Sequence, residues 1–567
     1  MQSLKSPSLA ESIQPNFVQG QVNTISKNID TALEPVEIFQ RFKRSTKPNN
    51  TILLETTDIA SSSSNQQCSD RGSKSLLMLQ AAIRIECNGQ TVRLDALTIN
   101  GNYALEQIFS QLKSSQLVLV QNESEGGLKS LLVTYPYRQC TLDEESKLKH
   151  LSPIDILRSI KNSFKSEQNS EYSIFLTGLF SYDLIASYEN LPDVKNGKNT
   201  CPDFVFYLAE NLLVIDHKRN SKRYLCNHFS SQLQSSAELQ KTYYELSRSI
   251  ERFEERLSKK SIDFLSEPKN SSTNNHYTTD VSDAEYKIAV SQLKKNIIEG
   301  DIFQVVPSRT FSLHCESPIE SYKTLKTTNP SPYLFFMQDQ DFTLFGASPE
   351  SALKYTKMTN FVELYPIAGT RARGKDSHGQ IDSDLDIRIE AELKLDSKEI
   401  SEHMMLVDLA RNDVSRISEP GTVTVTKLLE VDRYSQVMHL VSNVQGELHS
   451  DFDALHAYQA CMNMGTLTGA PKLKATELLR ETEGTRRGSY GGAVGYLNAN
   501  GDMDTCIVIR SAFCKDSMAH IQAGAGIVFD SIPELETQET TNKAMAVINA
   551  IQISNQQLEK STLGETA

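Results

Sequence analysis

Tryptophan is absent from all 567 residues, although tyrosine occurs 20 times and phenylalanine 22 times. Drift would explain the gap, and so would a need to make the protein when tryptophan is scarce. No window approaches the ~20 apolar residues of a membrane span. The N-terminus, MQSLKSPSLAESIQPN, lacks the apolar core of a secretory signal. Nine cysteines contain no C-x-x-C pair, which disfavours a zinc site or disulfide framework and fits reduced thiols in a cytoplasm. Positive charge is also short: 58 Lys and Arg stand against 71 Asp and Glu, a net −13. That balance argues against nucleic acid as the main partner. Neither G-x-x-x-x-G-K-[ST] nor a strand-borne G-x-G-x-x-G occurs, so nucleotide binding has little support.

With 39% hydrophobic and 23% charged residues, the composition is that of a globular chain. Residues 1–48 are polar and predict a loosely ordered lead with one helix near 34–42. From 49 to 217, strand-like segments such as TILLETTD and FVFYLAENLLVIDH dominate, with SSSSNQQCSDRGS as a flexible loop. Residues 218–281 predict a linker, helical over 236–259 and then polar through KKSIDFLSEPKNSSTNNH. A capping box, Ser282 with Glu285, opens a helix that ends at Gly300. Residues 282–553 then run as one large α+β domain, and 554–567 as a polar tail.

Two helices carry Glu-x-x-Glu. Glu399 and Glu402 share a face beside His403, and Glu536 and Glu539 repeat the spacing. The second helix is expected to begin at a capping box, Ser531 with Glu534, and to continue to Ala550. Either pair alone is compatible with a solvated helix face. Four converging carboxylates would suit Mg²⁺, which takes one or two of them directly and keeps several waters. Glycine-rich stretches PIAGTR, GTLTGAPK, RRGSYGGAVGY and QAGAGIV lie near Arg371, Arg373, Arg486, Arg487 and Arg510. Amides and guanidiniums together suggest an anionic, carboxylate-bearing ligand. His439 lies in the apolar VMHLVSNV and is either a satisfied core residue or an acid/base.

Taken together, YPIAGTRARG, KEISEHMMLVDLARNDVSR, VDRYSQVMHLVSNVQGEL, MNMGTLTGAPK, RRGSYGGAVGY, DTCIVIRSAF and QAGAGIVFDSIPELETQETTNKA resemble the chorismate-binding domain of the anthranilate synthase component I family. The likeness extends upstream through NPSPYLFFMQ and ILLET. It implies a two-domain α+β fold of large antiparallel and mixed sheets flanked by helices. It further implies chorismate contacts from Gly369, Thr370, Tyr490, Arg510, Gly524, Ala525 and Gly526, with Thr466 close by. Glu402 and Glu539 match direct Mg²⁺ ligands, and Glu399 and Glu536 the carboxylates behind them. His439 matches an acid/base, and Lys543 is a further catalytic candidate. Ala368 stands where related activities carry lysine, as P-I-K-G-T. Without that amine, ammonia itself would attack chorismate, giving anthranilate and pyruvate on the way to tryptophan.

The resemblance also implies a separate glutamine amidotransferase subunit, component II, in a heterotetramer. Feedback by L-tryptophan would use Glu55, Thr56, Lys74, Pro332, Tyr333, Leu334, Val494 and Tyr496. Two of these depart from the family pattern: Thr56 replaces serine and Leu334 replaces methionine. Aminodeoxychorismate synthase component I is the alternative within the class, disfavoured by Ala368. A non-catalytic chorismate- or tryptophan-binding regulator is the alternative outside it, disfavoured by the four glutamates, His439 and Arg510.

Overall fold

The strand-forming segments pair across the whole length of the chain. The computed structural model describes residues 20–42, 50–56, 74–113, 115, 117–123, 127–136, 143–166, 170–231, 234–258, 276–376, 379–434 and 437–564. The expected loop at 61–73, most of the boundary at 259–275 and the last three residues of the tail lie outside them.

Two early strands are built into the later half. Thr51–Glu55 lies between Lys74–Asn88 and Tyr333–Gln338, with Leu53 opposite both Leu77 and Phe336. Leu176–Phe180 lies between Phe204–Asp216 and Ala493–Leu497. These six strands are nearly continuous apolar runs because both of their faces are covered. The cores accordingly mix residues from before and after the 259–275 segment. The architecture is α+β, with large antiparallel sheets and helices packed on them. No helix of the described residues is long and apolar enough to cross a membrane.

Local signals account for several element ends. Ser282 and Glu285 form the full capping box before Asp283–Glu299, and Gly300 at φ +86° ends that helix. The helix beginning at Pro533 differs from expectation. Ser531 accepts from Val528 N at 3.0 Å and touches Glu536, so the Ser531–Glu534 box does not form. That helix also continues past Ala550 to Gly564. The expected polar tail from 554 is thus helical, with Asn555 Nδ2 donating to His314 O at 3.0 Å.

The lead before residue 49 contains the expected helix, Pro35–Phe42, and an unexpected strand, Gln21–Asn28. The strand pairs with Ser221–Phe229. Its buried residues include Asn23 and Thr24, and Thr24 bonds Asn227 at 2.9 Å. A strand that buries polar side chains shows no apolar alternation. The stretch 218–281 is likewise more than a linker: that second strand and the helix Ser236–Ser258 bury Tyr224, Leu246, Ile250 and Phe253.

Candidate active site

One wall of the candidate site is the strand Ile367–Ala372 paired with Val437–Glu447. The register slips between Ala368 and Thr370, where Gly369 sits at φ +71°, a conformation that suits glycine. A methyl group on Gly369 would stand 3.2 Å from Glu399 Oε2 and 3.0 Å from Leu393 Cδ1. The bulge places Thr370 opposite His439, with Thr370 Oγ1 2.9 Å from His439 Nδ1. Burial and the positive Arg510 hold the His439 pKa down to about 4, so its imidazole is neutral at neutral pH. His403, by contrast, is a buried residue bonded to Ser442 at 2.6 Å.

The second wall is made by two helices, Ser397–Ser415 and Pro533–Gly564. Asp396 caps the first through the amides of Lys398 and Glu399. Arg371 ties Asp396 and Glu399 together at 2.8 and 2.9 Å. Burial raises the Glu402 pKa to about 7, and the like charges of Glu399, Glu536 and Glu539 add to the rise. The two Glu-x-x-Glu pairs therefore lie near each other, although the Glu539 side chain remains 45% exposed. They are not gathered to a point: among the described residues no group of three or more His, Cys, Asp or Glu stands ready around a metal ion. Glu539 instead pairs with Lys543 at 2.6 Å, and Lys543 donates to Gly524 O at 3.0 Å. An all-oxygen donor set carrying surplus negative charge fits a hard divalent cation.

The third side holds Arg510, in the left-handed region at φ +49°, where an arginine rarely sits without a functional or packing reason. Its guanidinium feels Tyr490, Glu539 and Glu350 but has no hydrogen bond or ion pair among the described residues. The other four arginines near glycine-rich stretches are all engaged. Besides Arg371, Arg373 binds Asp386 in a fork, Arg486 binds Asp203, and Arg487 binds Glu483. Tyr490 packs beneath the turn Gly524, Ala525 and Gly526. A methyl on Gly524 would meet Pro307 O at 2.7 Å and Tyr490 Oη at 3.2 Å. One on Gly526 would meet Gln304 Nε2 at 2.8 Å.

Sequence reasoning missed Glu350. It lies between the strands Thr343–Ser348 and Ser351–Thr356, where Ser-Pro-Glu looks like an ordinary turn. It is buried beside Thr466, Lys543 and Arg510, and burial pushes its carboxyl pKa up to about 8. Thr466 Oγ1 faces this carboxyl without a fully formed bond and is buried with no other partner among the described residues. The available signal was a lone carboxylate interrupting two apolar strands.

The expected effector residues divide. A cavity of about 370 Å³ is lined by Thr56, Lys74, Tyr333, Val494 and Tyr496, with Asp216, Arg219, Lys354 and Asp504 supplying charge. Thr56 Oγ1 donates to Lys74 O at 3.4 Å, and Tyr333 Oη to Asp504 at 3.2 Å. Glu55 and Leu334 reach the cavity edge, but strand alternation turns their side chains to the other face. There Glu55 binds Tyr322 and Lys326, and Leu334 joins the core that contains Tyr322. Pro332 is not among the lining residues.

Residues 117–549 match the chorismate binding enzyme family. Anthranilate synthase component 1 of Vibrio cholerae is 50% identical over 506 residues, 89% of this chain and 92% of that protein. The Escherichia coli protein of the same description is 48% identical over 501 residues, 88% and 92% of the two chains. Among solved structures, anthranilate synthase component I from Streptococcus pneumoniae superposes with a TM-score of 0.63 at 30% identity, covering 86% of this chain and 95% of that one. The chain belongs to the chorismate-binding enzymes, within the anthranilate synthase component I family.

Proposed function

We propose that the chain converts chorismate and ammonia to anthranilate and pyruvate. The observation that carries this reading is Arg510, a half-buried guanidinium with no hydrogen bond or ion pair among the described residues. It is close to Glu350 and to Glu539 of one carboxylate-bearing helix, whose partner helix brings Glu402 near Glu539. A ligand with carboxylates at both ends would satisfy both sides. Arg510 would take the enolpyruvyl carboxylate, with Tyr490 and the turn at Gly524, Ala525 and Gly526 shaping that end. Glu402 and Glu539 would hold Mg²⁺, backed by Glu399 and Glu536. Bound there, the ion would supply Lewis-acid polarisation of the ring carboxylate.

Environments that push two pKa values apart divide acid from base. Glu350, still protonated at neutral pH, is suited to give its proton to the departing C4 hydroxyl, which leaves as water. Ammonia adds at C2 as the double bonds shift, into space that Ala368 leaves free. The neutral His439 is suited to take the C2 proton while the C3–O bond breaks and pyruvate leaves. Thr370 orients the imidazole through Nδ1. His439→Ala is expected to slow turnover by ~10²–10⁴ with chorismate binding retained. An unchanged rate would make His439 a packing residue.

Ammonia would come in the cell from a component II amidotransferase. The isolated chain is therefore expected to make anthranilate with ammonium, not with glutamine. Glutamine-driven turnover by the chain alone would refute the division of labour.

The 370 Å³ cavity is the proposed tryptophan site. Its strand Ala493–Leu497 follows closely on Tyr490, and Met503–Ile507 leads towards Arg510, so an effector there could bias both chorismate contacts. Such coupling is typically worth ~1–3 kcal/mol, or ~5–150-fold in apparent affinity. With Glu55 already paired to Lys326, the amino-acid head group depends more on Thr56, Lys74 and the cavity charges. Tryptophan should inhibit competitively with chorismate, and Thr56→Ser, with its freer χ1, should strengthen inhibition. Absence of inhibition at millimolar tryptophan would refute the site, and indifference to the serine would refute the role of Thr56.

A further inference from the structure

Resting on the reaction proposed above, we infer that Tyr182, from the N-terminal half of the chain, is a positioning residue for chorismate. It holds the two loops that carry Thr466 and Tyr490. Tyr182 opens the turn Tyr182–Ser187, directly after the strand Leu176–Phe180. Its backbone and its hydroxyl are all bonded to those loops. The amide donates to Gly488 O at 2.9 Å, and the carbonyl accepts from Asn463 Nδ2 at 2.8 Å. The hydroxyl donates to Thr468 Oγ1 at 3.2 Å. The neighbouring Asp183 tightens the same contact, accepting from Gly488 N at 2.8 Å and from Arg480 at 3.1 Å.

The ring reaches further than the hydroxyl. The Arg487 guanidinium lies 4.6 Å from the ring centroid of Tyr182 and 5.6 Å from that of Tyr490. All three side chains are buried, and a cation between aromatic faces is held most strongly where water is excluded. So placed, Arg487 donates to Leu467 O at 2.8 Å and to Val306 O at 2.6 Å, and Glu483 balances its charge. Leu467 directly follows Thr466. Val306 precedes Pro307, whose carbonyl accepts from Ala525 N at 3.3 Å. One ring therefore bears, through Arg487, on Tyr490, on Thr466 and on the turn at 524–526. Tyr490 and that turn grip the same end of chorismate before and during reaction. Loosening them removes binding common to both states, which appears in KM rather than kcat.

Tyr182→Phe keeps the ring and loses only the hydroxyl bond, whereas Tyr182→Leu and Tyr182→Met fill the space without an aromatic face. The full chain is assayed with Mg²⁺, saturating ammonium and varied chorismate. Tyr182→Leu and Tyr182→Met should raise the chorismate KM about tenfold or more, with kcat within about threefold of the parent. The ammonia KM should not move. Tyr182→Phe should keep the chorismate KM within about threefold of the parent. A packing role alone would reduce the folded fraction, and so the apparent kcat, and leave KM as it was. Circular dichroism melting identifies the variants that fold. An unchanged chorismate KM in folded Tyr182→Leu or Tyr182→Met overturns the assignment. So does a rise of about tenfold with Tyr182→Phe, because the ring is then not the part that matters. A parent chain that makes no anthranilate would instead overturn the reaction, and calorimetric chorismate affinities of the same variants would then decide the role of Tyr182.

Discussion

Glu350→Gln is expected to slow anthranilate formation by ~10²–10⁴, the usual range for a lost general acid. The substitution keeps volume and a hydrogen-bond donor but removes the transferable proton. The pH profile separates this role from a packing role. In the free protein the Glu350 pKa stands near 8, because burial outweighs the help of Thr466, Lys543 and Arg510. An acid works while protonated, so kcat/KM should fall as pH rises through about 8. Glutamine does not titrate, so the residual activity of the variant should lose that alkaline limb. A variant that is merely slow but keeps the limb would remove Glu350 from the proton transfer.

The second large effect concerns the carboxylate helices. Glu402→Gln and Glu539→Gln should each weaken Mg²⁺ binding, measured by calorimetry, and cut turnover at limiting Mg²⁺ by about 10²-fold or more. Glu536→Gln should cost less, ~10-fold, as expected of a group that orients a ligand rather than serving as one. A carboxylate must lose its proton to ligate. Without the cation, burial and three neighbouring glutamates hold the Glu402 pKa near 7. Mg²⁺ affinity should therefore fall as pH drops below that value, and Glu402→Gln should flatten the dependence. Parental Mg²⁺ affinity in both Glu402→Gln and Glu539→Gln would refute the metal assignment.

Much of this site was legible because its residues sit in long, ordered motifs. Local chemistry alone carried the capping box at Ser282 and the stop at Gly300, since both depend on neighbours a few residues away. Spacing likewise put Glu399 with Glu402 and Glu536 with Glu539, but only the fold brings the two helices face to face. Direction was harder to foresee. Glu55 and Thr56 are adjacent in sequence, yet the two-residue period of a strand sends them to opposite faces, one to Lys326 and the other to the cavity. The arginines show the same limit: five stand near glycines, and among the described residues only Arg510 remains without a bonded partner, which depends on distant carboxylates. Glu350 escaped notice because its partners come from residues 466, 510 and 543. The strand Gln21–Asn28 escaped because it buries asparagine and threonine rather than leucine and valine.

The central claim is that this site joins ammonia to chorismate and carries the product through to an aromatic ring. Incubating the purified full chain with chorismate, Mg²⁺ and isotopically labelled ammonium, then identifying the products by mass, tests it most directly. The account predicts labelled anthranilate with an equal amount of pyruvate. Labelled 4-amino-4-deoxychorismate, unlabelled isochorismate or untouched chorismate would contradict it.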